Sequence, residues 1–280
     1  MVRASRALDQ KRFVRNEYGN FGFARISCRS QPREFVVVDT GGLVWSYDAE
    51  RTSQEPDAPS TCEGSSLAVT YSQAVRIGGS IHIVGGPRRL YRRHGIGSWQ
   101  DLTPGLKLPS DVDEPDKVMS YDWRDASGFS ETDLYTVGGE GDVFHFDGST
   151  WRQCAFPSNE LLNNVCCAAD GNVYIGGNMG SLYVGRGDRW KKLEGSNHSM
   201  PWKDIAFFGG TLYCGSDYGL WQLDEKGKLV RARVPADVLL NSGAMDVSID
   251  GRHLLTAGPD GASLFDGRDW QVLFSRHDLE

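Results

Sequence analysis

Apolar positions along this chain fall into short runs that end in glycine, each followed by a polar turn and a second short run. Tyr135-Thr-Val-Gly-Gly, the turn Glu140-Gly-Asp142 and Val143-Phe-His-Phe lead into Asp147-Gly-Ser-Thr-Trp151. Tyr174-Ile-Gly-Gly, Asn178-Met-Gly180, Leu182-Tyr-Val and Asp188-Arg-Trp190 repeat that order. Weaker copies start near Val36, His82, Leu212 and Leu254. Few stretches carry the i, i+3, i+4 spacing of an amphipathic helix, so the pattern predicts short antiparallel strands joined by tight turns.

The spacing of the glycines that close the first run sets the architecture. Gly138 to Gly176 and Gly177 to Gly215 are each 38 residues apart, and Gly215 to Gly258 is 43. Gly85 to Gly138 is 53, with an insertion between. Units of this length with four strands each are blades of a β-propeller. Val165-Cys-Cys-Ala-Ala, Val173-Tyr-Ile-Gly, Ser181-Leu-Tyr-Val and Trp190-Lys-Lys-Leu read as strands A to D of one blade. Asp170-Gly171 supplies the turn between the first two, since glycine tolerates positive φ. Six copies predict an all-β, six-bladed propeller of four-stranded antiparallel blades, with seven as the alternative if residues 51–73 hide a degenerate blade. The whole chain, 1–280, is read as one domain with its repeats in about 34–273. Arg12-Phe-Val-Arg, pairing near Trp270-Gln-Val-Leu-Phe, is a candidate for closing the ring. The recurring Trp99, Trp151, Trp190 and Trp270 are expected to wedge between blades.

The double glycines at 85–86, 138–139 and 176–177, with the spacing from Phe144 to Trp151 and from Tyr183 to Trp190, resemble the kelch signature. Asp147-Gly-x-x-Trp151 also resembles the Asp-box hairpins of sialidase-type and photosystem-assembly-factor propellers, although the usual Asp box separates its aspartate and glycine by one residue. The resemblance is to the propeller class broadly and implies the fold, not an activity.

Composition narrows the functional classes. The 280 residues carry a net charge of −7, with 34 glycines and 11 % aromatics. A nucleic-acid binder carries a basic surplus, so nucleic acid is an unexpected partner, as is an anionic membrane surface. Cys28, Cys62, Cys154, Cys166, Cys167 and Cys214 include no CxxC pair and read as reduced, core-filling thiols of a cytoplasmic protein. The basic N-terminus lacks the apolar stretch of a secretory leader, and no run is long enough for a membrane helix. No HExxH, GxSxG, P-loop or dinucleotide fingerprint occurs, so no catalytic residue, metal or cofactor is expected.

In a propeller the D-to-A loops share one end with the B-to-C turns. Here the long connections are D-to-A: 103–117, 155–163, 194–201, 234–242 and the stretch 51–73. Function concentrates where long loops gather. Asp111, Asp113, Glu114 and Asp116 in one loop, with Glu140, Asp142, Asp217 and Asp260 in the turns, make an acidic rim that attracts a basic partner. Arg88 and Arg89 make it bipolar, and Asn178, Met179, Trp202 and Tyr218 complete the expected docking set. Asn164, Asp204 and Asp246 recur near the start of strand A and are expected to cap the backbone amides of the preceding loop. Two classes of function follow. One is a non-enzymatic module that binds a protein, with neutralisation of a bacterial toxin domain as the concrete role and an assembly factor as its neighbour. The other is a glycoside-active enzyme of sialidase type, for which Arg76, Asp122, Asp204 and Asp246 would have to converge.

Overall fold

The computed structural model describes residues 2–4, 13–15, 19–48, 51–62, 66–114, 117–195, 199–239 and 242–276. They form six four-stranded antiparallel sheets arranged as a β-propeller, each blade pairing its strands in chain order. Blade 1 is Ala24–Ser30, Arg33–Asp39, Val44–Asp48 and Thr52–Gln54. Blade 2 is Thr70–Ile77, Ser80–Gly86, Arg89–Gly95 and Ser98–Asp101. Blade 3 is Trp123–Ser130, Asp133–Gly138, Asp142–Phe146 and Trp151–Gln153. Blade 4 is Leu162–Cys167, Val173–Gly177, Leu182–Arg186 and Arg189–Lys192. Blade 5 is Asp204–Phe208, Thr211–Ser216, Gly219–Leu223 and Leu229–Arg231. Blade 6 is Ala244–Val247, Leu254–Gly258, Gly261–Phe265 and Trp270–Ser275.

Three expectations change. The repeats begin at Ala24, not near residue 34. Strand A of blade 1 exposes residues 24–26, so no apolar run marked it. The stretch 51–73 holds strand D of blade 1, a Thr61–Ala68 bridge and the start of blade 2, not a seventh blade. Phe13–Arg15 pairs with Val2–Ala4 in a separate two-stranded sheet, instead of with the strand at Trp270. Arg12 lies outside the described residues.

The motifs now have physical causes. Asp147 Oδ1 accepts the backbone N–H of Ser149 and Thr150, and Asp266 Oδ1 does the same for Arg268 and Asp269. Each aspartate thereby builds the turn before its tryptophan. Trp151 packs against the apolar cluster shared by blades 2 and 3 and donates its indole N–H to Leu102 O at 2.7 Å. Trp190 packs on Tyr135 of blade 3, with ring centroids 6.3 Å apart. Each tryptophan thus wedges its blade against the one before. The B strands are buried on both faces, as Ile81, Ile83, Leu134, Val137 and Ile175 show, each fully buried. Sheets sandwiched between neighbours require this.

The glycine that closes strand B lies against the entry to strand A. A Cβ on Gly138 would sit 2.0 Å from Asp122 O. Substitution Gly138→Ala is therefore expected to push strands A and B of blade 3 apart and to cost roughly 1–3 kcal/mol. Urea unfolding of the variant beside Gly171→Ala checks this, because a Cβ on Gly171 meets nothing within 4 Å, although its φ of +84° carries its own strain.

Candidate functional site

In an antiparallel A-B-C-D blade, strand A starts at the end where strands B and D finish. The D-to-A loops and B-to-C turns therefore gather at one end, which we call the top. The opposite end carries tight A-to-B turns such as Gly78-Gly79 and Gly209-Gly210. The top carries the loop 102–122, the loops near 154–161, 193–203 and 232–243, and turns at 139–141, 178–181, 217–218 and 259–260.

The structure sorts the expected docking residues into exposed and buried. Asp113, Glu114, Glu140, Asn178, Met179, Asp217 and Tyr218 are exposed. Met179 is 58 % and Tyr218 66 % exposed. Met119, in the short 3-10 helix Val118–Tyr121 of the same end, is also exposed. Asp217 faces Lys203 at 3.2 Å, with both side chains about half exposed. Asp260 pairs with Arg276 at 3.2 Å. Asp111 is half-buried and accepts the Tyr121 hydroxyl at 2.8 Å, which ties down the acidic loop. Asp116 lies outside the described residues.

Arg88, Arg89, Asp142 and Trp202 lie beneath this surface. Arg88, in the turn between strands B and C of blade 2, makes a two-pronged pair with Asp142 of blade 3. Its Nε and Nη2 donate at 2.8 and 2.7 Å to the two carboxylate oxygens. Its guanidinium also stacks between the Tyr121 and Phe144 rings, 5.0 and 4.7 Å from their centroids. Asp142 further accepts the Trp123 indole N–H at 3.2 Å. Burial pushes the Asp142 carboxyl up and the Arg88 bonds pull it back, leaving it raised. Arg89 Nη1 donates to Arg88 O and to the Thr103 hydroxyl, both at 3.3 Å. Trp202 packs on Trp221 and donates to Ser181 O at 3.2 Å, fixing the loop that enters blade 5. The sequence shows charge and aromaticity at these positions. The covering loop that removes them from solvent is visible only in three dimensions.

Polar residues of the first strands link successive blades. Asp125 Oδ2 accepts Val165 N–H of blade 4 at 2.8 Å. Asn164 Nδ2 donates to Lys203 O at the entry to blade 5 at 3.1 Å. Asp204 Oδ2 accepts Met245 N–H of blade 6 at 2.8 Å. The expected caps on the preceding loop are therefore bonds to the following blade. Burial dominates the titration of these groups. It pushes Asp204 to about 7 against the backbone bonds from Met245 and Ile205, with Asp246 adding to the rise. Burial also lifts Asp122 to about 6 and Asp125 well above its ordinary value.

The four residues named for glycoside chemistry stand apart in role. Asp122 lies at the top, beside Ser72 at 3.4 Å. Arg76 lies beside the A-to-B turn at the opposite end, where it pairs with Asp246 at 3.0 Å. Both Asp204 oxygens accept backbone N–H groups. Among the described residues, no group of three or more His, Cys, Asp or Glu is placed to hold a metal ion, and no helix is long and apolar enough to cross a membrane. The six cysteines are free thiols.

No protein-family model matches the chain. Over 147 residues it is 30 % identical to immune protein Tsi7 of Pseudomonas aeruginosa, a match that covers 52 % of this chain and 46 % of that protein. The chain thus spans about half the length of that curated relative. Among solved structures it superposes on virginiamycin B lyase from Staphylococcus aureus with a TM-score of 0.63 at 10 % identity, covering 91 % of this chain and 85 % of that one. YCF48 from Cyanidioschyzon merolae superposes with a TM-score of 0.58 at 14 % identity, over 89 % and 84 % of the two chains. A third structure, YCF48 bound to D1 peptide, gives a TM-score of 0.56 at 13 % identity, over 89 % and 79 %. At such identities these structures bear on the fold, and the fold they share is the propeller.

Proposed function

We propose that this protein is a non-enzymatic immunity protein that binds a toxin domain through its top end and occludes it. The observation that carries the reading is the composition of that end. Exposed Met119, Met179 and Tyr218 stand on the same end as the exposed acids Asp113, Glu114, Glu140 and Asp217. Exposed apolar and aromatic side chains together with charged ones are the composition of a protein interface. The likeness to an immune protein supports a toxin as the partner class. A propeller that engages a peptide, as the YCF48 complex does, supports a binding use of this architecture. The acids of the rim, Asp260 among them, make a basic toxin surface the expected counterpart. The site of action is the cytoplasm, where such a toxin would meet its inhibitor.

The reading is tested with the purified product of each gene that flanks this one, screened for binding to the protein. Association is measured by surface plasmon resonance at several salt concentrations. Substituting Asp113→Lys with Glu114→Lys is expected to slow association about tenfold at low salt, with little effect on dissociation. The variant Tyr218→Ala is expected to act chiefly on dissociation. A pair that associates at one rate at all salt concentrations, or cells protected equally well by the Tyr218→Ala and charge-reversal variants together, would overturn the assignment of this face.

A further inference from the structure

Five junctions between blades are filled by apolar clusters, and the sixth is built differently. The clusters join blades 1 and 2, 2 and 3, 3 and 4, 4 and 5, and 5 and 6. Among the described residues no such cluster joins blade 6 to blade 1. Several apolar residues of these two blades are in solvent. Phe23 and Ile26, at the start of strand A of blade 1, are 80 % and 57 % exposed, and Leu255 of blade 6 is 36 % exposed.

The polar links between innermost strands change at the same place. Asp125, Asn164 and Asp204 each bond the backbone at the start of the next blade. Asp246 of blade 6 bonds Arg76 of blade 2, past the inner strand of blade 1. Arg76 Nη2 donates to Asp246 Oδ1 at 3.0 Å and to Val247 O at 2.5 Å. Its Nη1 contacts Cys28 Sγ of blade 1 at 3.2 Å. One guanidinium therefore touches the inner strands of blades 6 and 1 from blade 2. It is 17 % exposed, and the Asp246 side chain is 57 % exposed.

We propose that the propeller is a latched ring that opens between blades 6 and 1, with Arg76 as the latch. A junction without an apolar cluster among the described residues, held by a partly hydrated ion pair, is the lowest-energy place for the ring to part. Opening there parts no apolar cluster of the described residues, whereas parting any other junction exposes a whole cluster. The motion separates strand A of blade 1 from strand A of blade 6 and leaves blades 3 to 5 intact.

Hydrogen exchange by mass spectrometry on the full chain tests this. In the wild type, amides of Ala24–Ser30 and Ala244–Val247 are expected to exchange at least tenfold faster than those of Leu162–Cys167 in blade 4. Arg76→Ala is expected to accelerate the first two segments about tenfold more and to leave blade 4 unchanged. Should Arg76→Ala not fold, Asp246→Asn, which keeps the shape of the side chain and removes the ion pair, is expected to give the same pattern at smaller amplitude. Equal protection of all inner strands in the wild type, or a variant that accelerates every blade alike, would overturn the latch. The measurement needs no partner, so its failure leaves the toxin-binding reading to be judged on its own experiment.

Discussion

Arg93→Ala is expected to be among the most destabilising single substitutions in this chain, at about 3–5 kcal/mol. Arg93 lies in strand C of blade 2 with its side chain fully buried. Its Nη2 donates to Glu34 Oε1 at 2.6 Å and to Glu55 Oε1 at 2.7 Å, and its Nη1 to Glu55 Oε2 at 2.9 Å. Its guanidinium also lies 5.4 Å from the centre of the Trp99 ring. Glu34 and Glu55 belong to blade 1, so one cation stitches two blades together. The carboxylates have outer partners. Arg29 reaches Glu34 at 2.9 Å, and Arg51 reaches Glu55 at 3.1 Å. The Ser46 hydroxyl and Gly97 N–H also donate to Glu55. Burial pushes Glu55 up, and the bonds from Arg93 and Ser46 outweigh it, so the group stays ionised. Removing Arg93 leaves two buried carboxylates facing each other across a cavity, which is far worse than losing a surface pair.

Thermal unfolding checks the size of the effect, with a fall in Tm on the order of 10 °C for a chain of this length. A second variant separates charge from packing. Replacing Glu34→Leu, Arg93→Met and Glu55→Leu together is expected to recover part of the lost stability, because the facing carboxylates go with Arg93, while Arg29 and the partly exposed Arg51 lose their partners. A triple variant as unstable as Arg93→Ala would show that shape, not charge balance, governs this junction.

The same residues show what the sequence discloses. Strands B and C were legible because both of their faces are buried, so each reads as an apolar run with a glycine where backbones meet, as at Gly138 and Gly176. Strand A of blade 1 was not, because it borders the junction without a cluster and carries Arg25 and an exposed Ile26 where other blades carry core. Charge was legible as charge but not as position. Arg88 in a Gly-Pro-Arg turn looks like rim, and the loop held by Tyr121 and Asp111 turns it into a buried link to Asp142. Arg93 looks equally superficial in Tyr91-Arg-Arg-His94, although a strand that alternates faces sends Arg92 and Arg93 to opposite sides. Asp204 left the clearest trace, a carboxylate beside Ile205 in a strand of otherwise apolar residues, where an aspartate persists only if the fold supplies donors.

Carboxylates in and beside the first strands give the protein an expected pH dependence opposite to that of most proteins at the same pH. Asp204 is raised to about 7 from an ordinary 3.8, Asp122 to about 6, and Asp125 and Asp246 also lie above their ordinary values. A group raised on folding binds its proton more tightly in the folded state. Its stabilisation is complete at low pH and is lost as pH rises through the folded value. For Asp204 the full difference is on the order of 4 kcal/mol, of which about a third falls between pH 8 and pH 6. His82 acts against this below pH 6.5. Burial holds it near 4, so the unfolded chain takes up the proton first and stability falls with pH. Stability is therefore expected to climb from pH 8 to about pH 6.5 and more gently below it, where His82 offsets part of the gain. Tm measured from pH 8 to pH 6.5 should rise by roughly 2–3 °C. Asp204→Asn should remove most of the rise, because an amide does not titrate, while lowering stability at pH 6 through the loss of one of its two backbone bonds. A wild-type Tm that falls from pH 8 to pH 6.5 would mean that Asp204 is solvated, and with it the first strands at the junction of blades 5 and 6.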